Sequence, residues 1–224
     1  MKILISDRIG AACPEMVLAV IEAQVLNSSS NGKLWHEFEY EIQALKTTLT
    51  LEGINKRPEI AATRQIYKIL GKDPNRYRPS AEALCRRILR GIPIYQVNTL
   101  VDIINFVSVK TGFSIGGFDL NAIQGDLQLC AGTTKDEFEA IGRGKLNVDG
   151  LPLFHDRFGG IGTPTSDHER TKIRLNTQQT LMIINGYSGE SGMDNAVKLT
   201  HDLLEKYAEL SAFDVKWVRW ANAI

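Results

Sequence analysis

Between Asn98 and Lys110 the chain carries Leu100, Val101, Ile103, Ile104, Phe106, Val107 and Val109, so a helix there is apolar on nearly every side. Such a helix has no face to give to water and must stand at the centre of the molecule, wrapped by other elements. Gly112 marks its stop. Its polar exceptions, Asn98, Asp102, Asn105 and Ser108, are spaced four, three and three and share one face. Asp102 and Asn105 need partners there, because unpaired burial costs roughly 1–3 kcal/mol each. Either they hydrogen-bond the neighbouring loops or they line a pocket and hold a polar ligand.

Other helices can be read around this one. Pro79 and Ser80 open a helix whose Ala81, Leu84, Cys85, Ile88 and Leu89 form a complete apolar stripe, stopped by Gly91 and Pro93. Leu34 to Leu51 carries a stripe of Leu34, Phe38, Ile42 and Leu45, and Pro58 opens a helix through Leu70. Met1–Asp7 reads as a first strand, and Val17–Val25 as a buried strand, although Glu22 and Gln24 also permit a helix end. After Phe118 short apolar runs (Leu127–Cys130, Leu151–Phe154, Leu181–Ile184) alternate with turn residues, which predicts strands. A helix through Ala196, Leu199, Leu203, Leu204 and Tyr207 comes next, then an alternating Phe213–Trp217. Helices first and short strands later predict an α+β fold, with the buried helix packed on a mostly antiparallel or mixed sheet and further helices at both ends. One domain is expected over residues 1–224, with its core at 76–187, a strand and helices at 1–75, and a helix and tail at 188–224.

Composition narrows the function. Apolar runs as short as Met16–Ile21 do not approach the ~20 residues of a membrane span, and the N-terminus lacks the longer apolar core of a signal peptide. Cys13, Cys85 and Cys130 are odd in number and far apart, so neither a disulfide framework nor a zinc ribbon is expected, and a cytoplasmic setting is. Lysine plus arginine equals aspartate plus glutamate, 26 against 26, which is not the global footprint of a nucleic-acid binder. Locally, Lys68, Lys72, Arg76, Arg78, Arg86, Arg87 and Arg90 face only Asp73 and Glu82, either as a solvated helix face or as a phosphate-contacting patch.

Two segments hold the remaining chemistry. Gly116-Gly117 lets backbone approach a ligand or another segment closely, or makes a tight turn between helix and sheet, with Asp119 capping the next turn. Phe158–Thr171 is the densest polar stretch. Pro164 stands where a dinucleotide-binding helix would begin, so that reading fails. Asp167, His168 and Glu169 are consecutive and cannot ligate a metal from one face, and the other histidines are scattered; no metal and no cofactor are expected. There is no G-x-S-x-G elbow for a serine nucleophile.

Four motifs succeed one another in order: Tyr77-Arg-Pro-Ser-Ala-Glu-Ala-Leu-Cys-Arg-Arg87, Val97-Asn-Thr-Leu-Val-Asp-Ile-Ile-Asn-Phe106, Gly116-Gly-Phe-Asp-Leu120 and Ser166-Asp-His-Glu-Arg-Thr-Lys-Ile173. In series and spacing the chain resembles free-standing members of the B3/B4 family, the module that serves as the tRNA-editing domain of phenylalanyl-tRNA synthetase beta subunits. The resemblance spans Lys2 to Tyr187 and is densest from Arg76 onward.

In the synthetase, the resemblance implies, this domain hydrolyses tyrosine wrongly esterified to tRNA, in a pocket between the central helix, the glycine loop and the later β loops. Asn105 matches the pocket asparagine, Ile104 stands at the pocket threonine and Gly116 at the pocket histidine. Glu169 matches the selectivity glutamate, with Asp167 as the near alternative. On this resemblance the protein hydrolyses a mischarged aminoacyl-tRNA ester in trans, without a side-chain nucleophile. Glu169 or Asp167 orients water, and Arg170 with the Gly116–Gly117 backbone holds the oxyanion. Ile104, Asn105, Gly116, Gly117 and Thr171 bind the amino acid, and Arg76, Arg78, Arg86, Arg87 and Arg90 contact tRNA. The alternative is a non-catalytic module binding an amino acid, a nucleotide or tRNA. A site that has lost its hydroxyl-reading groups discriminates a hydroxyl poorly.

Overall fold

The strand Val17–Gln24 (β2) is apolar at successive positions because both of its faces are covered. In the computed structural model, which describes residues 1–220, Val17, Ala19, Ile21 and Ala23 enter one core cluster, and Leu18 and Val20 the other. Its antiparallel neighbour Gln179–Gly186 (β9) divides likewise, with Met182 and Ile184 on one side and Leu181 and Ile183 on the other. A side-chain period of two thus turns one apolar run into two cores. Ala212–Arg219 (β10) pairs with the far side of β2, and Ile115–Asp119 (β3) with the far side of β9, giving a four-stranded antiparallel sheet, β10-β2-β9-β3.

One face of this sheet carries helices. Gly32–Thr48 (α2), Ser80–Leu89 (α4), Thr99–Thr111 (α5) and Met193–Tyr207 (α6) contribute Phe38, Cys85, Phe106 and Leu203 to the first core. As its pattern requires, α5 is buried along most of its length, and Phe106 stacks on Phe38 of α2 with ring centroids 4.8 Å apart and planes 5° from parallel. Asn98 caps its start by accepting from the Val101 N–H at 3.0 Å. Gly112 ends it at φ 88°, a conformation that glycine adopts without strain.

The other face packs on a second, mixed sheet. Ile3–Ile5 (β1) runs parallel to Leu127–Ala131 (β4), and Pro152–Asp156 (β7) and Gly159–Gly162 (β8) continue antiparallel. Pro58–Ile69 (α3) brings Ile66 and Tyr67 into this second core. A hairpin of Glu139–Ala140 (β5) and Gly144–Lys145 (β6) stands beside it. The α+β architecture is the one the pattern predicts. Between β1 and β2, however, lies a short helix, Asp7–Ala12 (α1), which has no periodic signature of its own. The Gly116-Gly117 stretch, open in sequence to a turn reading, is an edge strand. Among the described residues no helix is long and apolar enough to cross a membrane.

Candidate functional site

Where the polar face of α5 meets β3 there is a cavity of about 350 Å³. Its wall is largely aliphatic, from Val97, Val101, Ile104, Ile115, Ile141 and Ile173. The polar groups that break this wall are Ser80, Asn105, Ser108, Asp167 and Lys172. A concave apolar space with a few convergent polar groups, in the size range of roughly 300–1,000 Å³, is the usual form of a small-molecule site.

The four polar residues of α5 divide along its length. Asn98 is the cap, and Asp102 is tied down by the Trp35 Nε1–H at 2.7 Å and the Val97 N–H at 3.0 Å. Burial pushes the Asp102 carboxyl above its usual range, against those two bonds. Asn105 and Ser108, further along, make no side-chain hydrogen bond among the described residues and both line the cavity. The resemblance to a pocket asparagine therefore falls on a residue whose amide is uncommitted.

Asp167 is the chemically distinctive group. It arrives on the segment 166–173, which leaves β8 and makes isolated bridges Gly162 to Asp167, Ala140 to His168 and Phe118 to Lys172. Because β3 is an edge strand, its Gly117 N–H points outward and donates to Asp167 Oδ2 at 3.1 Å. Burial among apolar side chains raises the carboxyl from 3.8 to about 7, and that single backbone bond only partly offsets it. Glycines pack closely around it, leaving little room for a side chain. A Cβ on Gly162 would lie 2.7 Å from Asp167 Oδ1, and one on Gly117 would lie 2.3 Å from Ile104 Cδ1.

Four consecutive residues go four ways. Asp167 enters the cavity. His168 turns to the other side, edge-on to Phe138, its Nδ1 accepting from the Arg170 N–H at 3.0 Å. Glu169 lies at the surface, paired with Lys172 and accepting from the Gly142 N–H at 3.4 Å. The Lys172 ammonium holds its carboxyl below the usual range. Arg170 is bidentate to Asp156, at 2.9 and 2.8 Å, and also donates to the Ala122 carbonyl. Burial pushes the Asp156 carboxyl up, but Arg170 and the N–H groups of Gln124 and Phe158 bring it below its usual range. Of the three residues expected to act on the ester, only Asp167 lines the cavity: Glu169 is paired with the cavity-lining Lys172 without lining the cavity itself, and Arg170 is committed to Asp156 away from it.

The expected binding residues also separate. Ile104, Asn105 and Gly117 line the cavity. Gly116 is paired in the sheet opposite Ile183, with a Cβ there meeting the Phe118 ring at 2.8 Å rather than open space. Thr171 is buried with no partner for Oγ1 among the described residues, and it does not line the cavity. The aliphatic residues Val97, Ile141 and Ile173 join the wall with no signal in the sequence to mark them as binding residues. Ser108 has such a signal, because it shares the polar face of α5 with Asn105.

In the arginine patch, Glu82 is buried and accepts from Arg64 at 2.8 Å and Arg86 at 2.7 Å, with Arg78 at 3.8 Å. Lys72 is spent on the carbonyls of Asn147 and Asp149. Arg76 is exposed beside Tyr77, and Arg90 stands at the end of α4. Arg87 donates to the Pro93 carbonyl at 2.7 Å and lies over the Tyr95 ring.

Compared with known proteins, residues 62–207 match the family model described as the B3/4 domain. Among solved structures, the chain is similar to an N-terminal fragment of the phenylalanyl-tRNA synthetase beta subunit from Pyrococcus horikoshii, at 12% identity and a TM-score of 0.45. That alignment covers 92% of this chain and 48% of the other, so the chain spans about half the length of that structure. No curated protein sequence matches.

Proposed function

The chain belongs to the B3/4 domain family, and from that premise we propose that it hydrolyses an aminoacyl ester on a tRNA in trans, with Asp167 as the general base. The observation that carries this is Asp167 itself, a carboxyl held near neutrality in an aliphatic cavity, opened toward Asn105 and Ser108. A base whose pKa lies near the working pH is both deprotonated and able to take a proton. Asp167 removes a proton from water as the water oxygen bonds to the ester carbonyl carbon. The tetrahedral intermediate collapses by breaking the bond to the ribose oxygen, which receives the proton from Asp167. A free amino acid and a tRNA hydroxyl result.

The side chain of the amino acid lies against Val101, Ile104, Ile115 and Ile173, which favours an aliphatic residue over tyrosine. The Asn105 amide and Ser108 hydroxyl are the donors for the developing oxyanion. Arg170 is not, because Asp156 holds it, and the Gly117 N–H is already used by Asp167. Incubation with tRNAs carrying valine, isoleucine, leucine or tyrosine tests the reading. Amino-acid release above buffer is expected for the aliphatic esters, with Asp167→Asn slower by about 100-fold or more. Release from none of them overturns it.

One observation favours a second reading, binding without turnover: both expected oxyanion donors are committed elsewhere, leaving only Asn105 and Ser108. Under that reading calorimetry with free aliphatic amino acids or nucleotides gives saturable heat, while every ester stays intact.

A further inference from the structure

Of the two outer edges of the antiparallel sheet, one is closed: β3 receives a bridge between Phe118 and Lys172. The other, β10, pairs with β2 over all eight of its residues and, among the described residues, with no strand on its outer side. Ala212–Arg219 contains neither proline nor glycine, and its register against β2 is unbroken. Long regular edges are usually interrupted by such breaks, because a row of free N–H and C=O groups recruits another strand. Here only charge guards the edge.

Those charges are incomplete within one chain. Asp214 stands directly opposite Glu22 of β2, a like-charge pair that weakens strand pairing. Lys216 lies beside both, 3.0 Å from Glu22 and 3.5 Å from Asp214. Two carboxylates thus share one ammonium, and the Asp214 side chain remains 65% exposed. An added strand with a lysine opposite Asp214 would supply the missing charge.

A second copy of β10 does so in one register. Opposed residues in a sheet share a face, so the two-fold axis joining antiparallel copies passes through a residue rather than between two. An axis at Val215 sets Asp214 of each copy opposite Lys216 of the other, and Phe213 opposite Trp217. It overlaps Ala212 to Val218, nearly the whole strand. An axis at Asp214 or at Lys216 sets like charges face to face, and one at Phe213 or Trp217 leaves the charges unmatched and shortens the overlap. Phe213, Val215 and Trp217 are half-buried against the first core, so the aromatic pair carries that core across the junction.

We propose that the protein forms a two-fold dimer through β10, its two antiparallel sheets joined into one of eight strands. With neighbouring strands about 4.8 Å apart, the two β3 edges and their cavities lie roughly 30 Å from each other. The dimer is therefore independent of what the cavity does.

Sedimentation velocity of the full chain over a concentration series tests this. One chain is 24.9 kDa, and the expected species has twice that mass and dissociates on dilution. Asp214→Lys and Lys216→Glu each put like charges at both symmetry-related contacts, and each is expected to weaken the dimer about tenfold. Mixed in equal amounts, the two variants become complementary, because each contact between unlike chains then sets a lysine opposite a carboxylate. Association should return to about the parent level. Lys198→Glu, an equal change of charge on exposed α6, should leave association unaltered. Thermal unfolding midpoints near the parent value establish that the variants are folded. A parent that stays monomeric up to about 100 μM, or a dimer indifferent to both reversals, overturns the proposal. So does a mixture no more associated than either variant by itself, which assigns the losses to changes within each chain rather than to a contact between chains.

Discussion

Replacing Asp167 by asparagine removes a charge that the fold holds at a cost, while leaving an oxygen to accept from the Gly117 N–H. The carboxyl titrates near 3.8 in the unfolded chain and at about 7 in the folded one. Between those values the folded protein holds a proton that the unfolded chain has released, so stability falls as pH rises through the interval and is level above it. A shift of about three units corresponds to roughly 4 kcal/mol as a ceiling. Asp167 lines the cavity, and solvent there screens part of the charge, so Asp167→Asn is expected to gain about 1–3 kcal/mol near pH 8. Near pH 4 the folded carboxyl is protonated and the unfolded one is only partly ionised, so the penalty has hardly begun and the two proteins should differ little. Urea unfolding of both at about pH 4.5, 6 and 8 measures the difference directly, since the other carboxylates titrate alike in each. A thermal midpoint shift of about 2–4 °C per kcal/mol gives an independent reading. If the difference is the same at all three pH values, Asp167 titrates normally, and the argument for it as a neutral-range base collapses.

Hydrolysis should rise about tenfold per pH unit below the Asp167 value of about 7 and level off above it; a flat pH–rate profile counts against Asp167 as base. Glu82→Gln should cost about 3–5 kcal/mol in a urea titration, because the guanidiniums of Arg64 and Arg86 then face an uncharged amide in a buried site. Gly132→Ala should lower stability by about 1–3 kcal/mol, since its Cβ would lie 2.3 Å from the Val148 carbonyl oxygen and backbone must move. Calorimetric unfolding within error of the parent would show that the segment yields without strain.

Much of the frame is legible in the sequence because its signals are local. The apolar sides of α5 and its Gly112 stop are both written within 15 residues of chain, whereas Asn98, one of the polar exceptions in the sequence, proves to be the cap. Features that depend on distant neighbours escape. The reason for glycine at 117 is Ile104 Cδ1, on another element, and a strand carrying two adjacent glycines reads as a turn. The commitment of Arg170 is set by Asp156, 14 residues earlier, across the β7–β8 turn. Asn105 can be located on a face from spacing alone. Choosing Asp167 over Glu169 requires knowing which side of an irregular segment looks into the cavity.

The position of Asp167 explains why its properties are hard to separate from the fold. Its segment bridges to Gly162 of the mixed sheet at one end and to Phe118 of the antiparallel sheet at the other. The carboxylate is therefore fixed by the seam between two sheets rather than by a free loop. Side chains on such a support hold their geometry before any ligand arrives. That rigidity also limits how far the carboxyl can turn toward solvent, so its protonated and ionised forms balance near neutrality. A mobile acid at the same mouth would rotate into water and titrate near its ordinary value. The raised pKa comes from burial, which the fixed segment preserves and the Gly117 N–H only partly offsets.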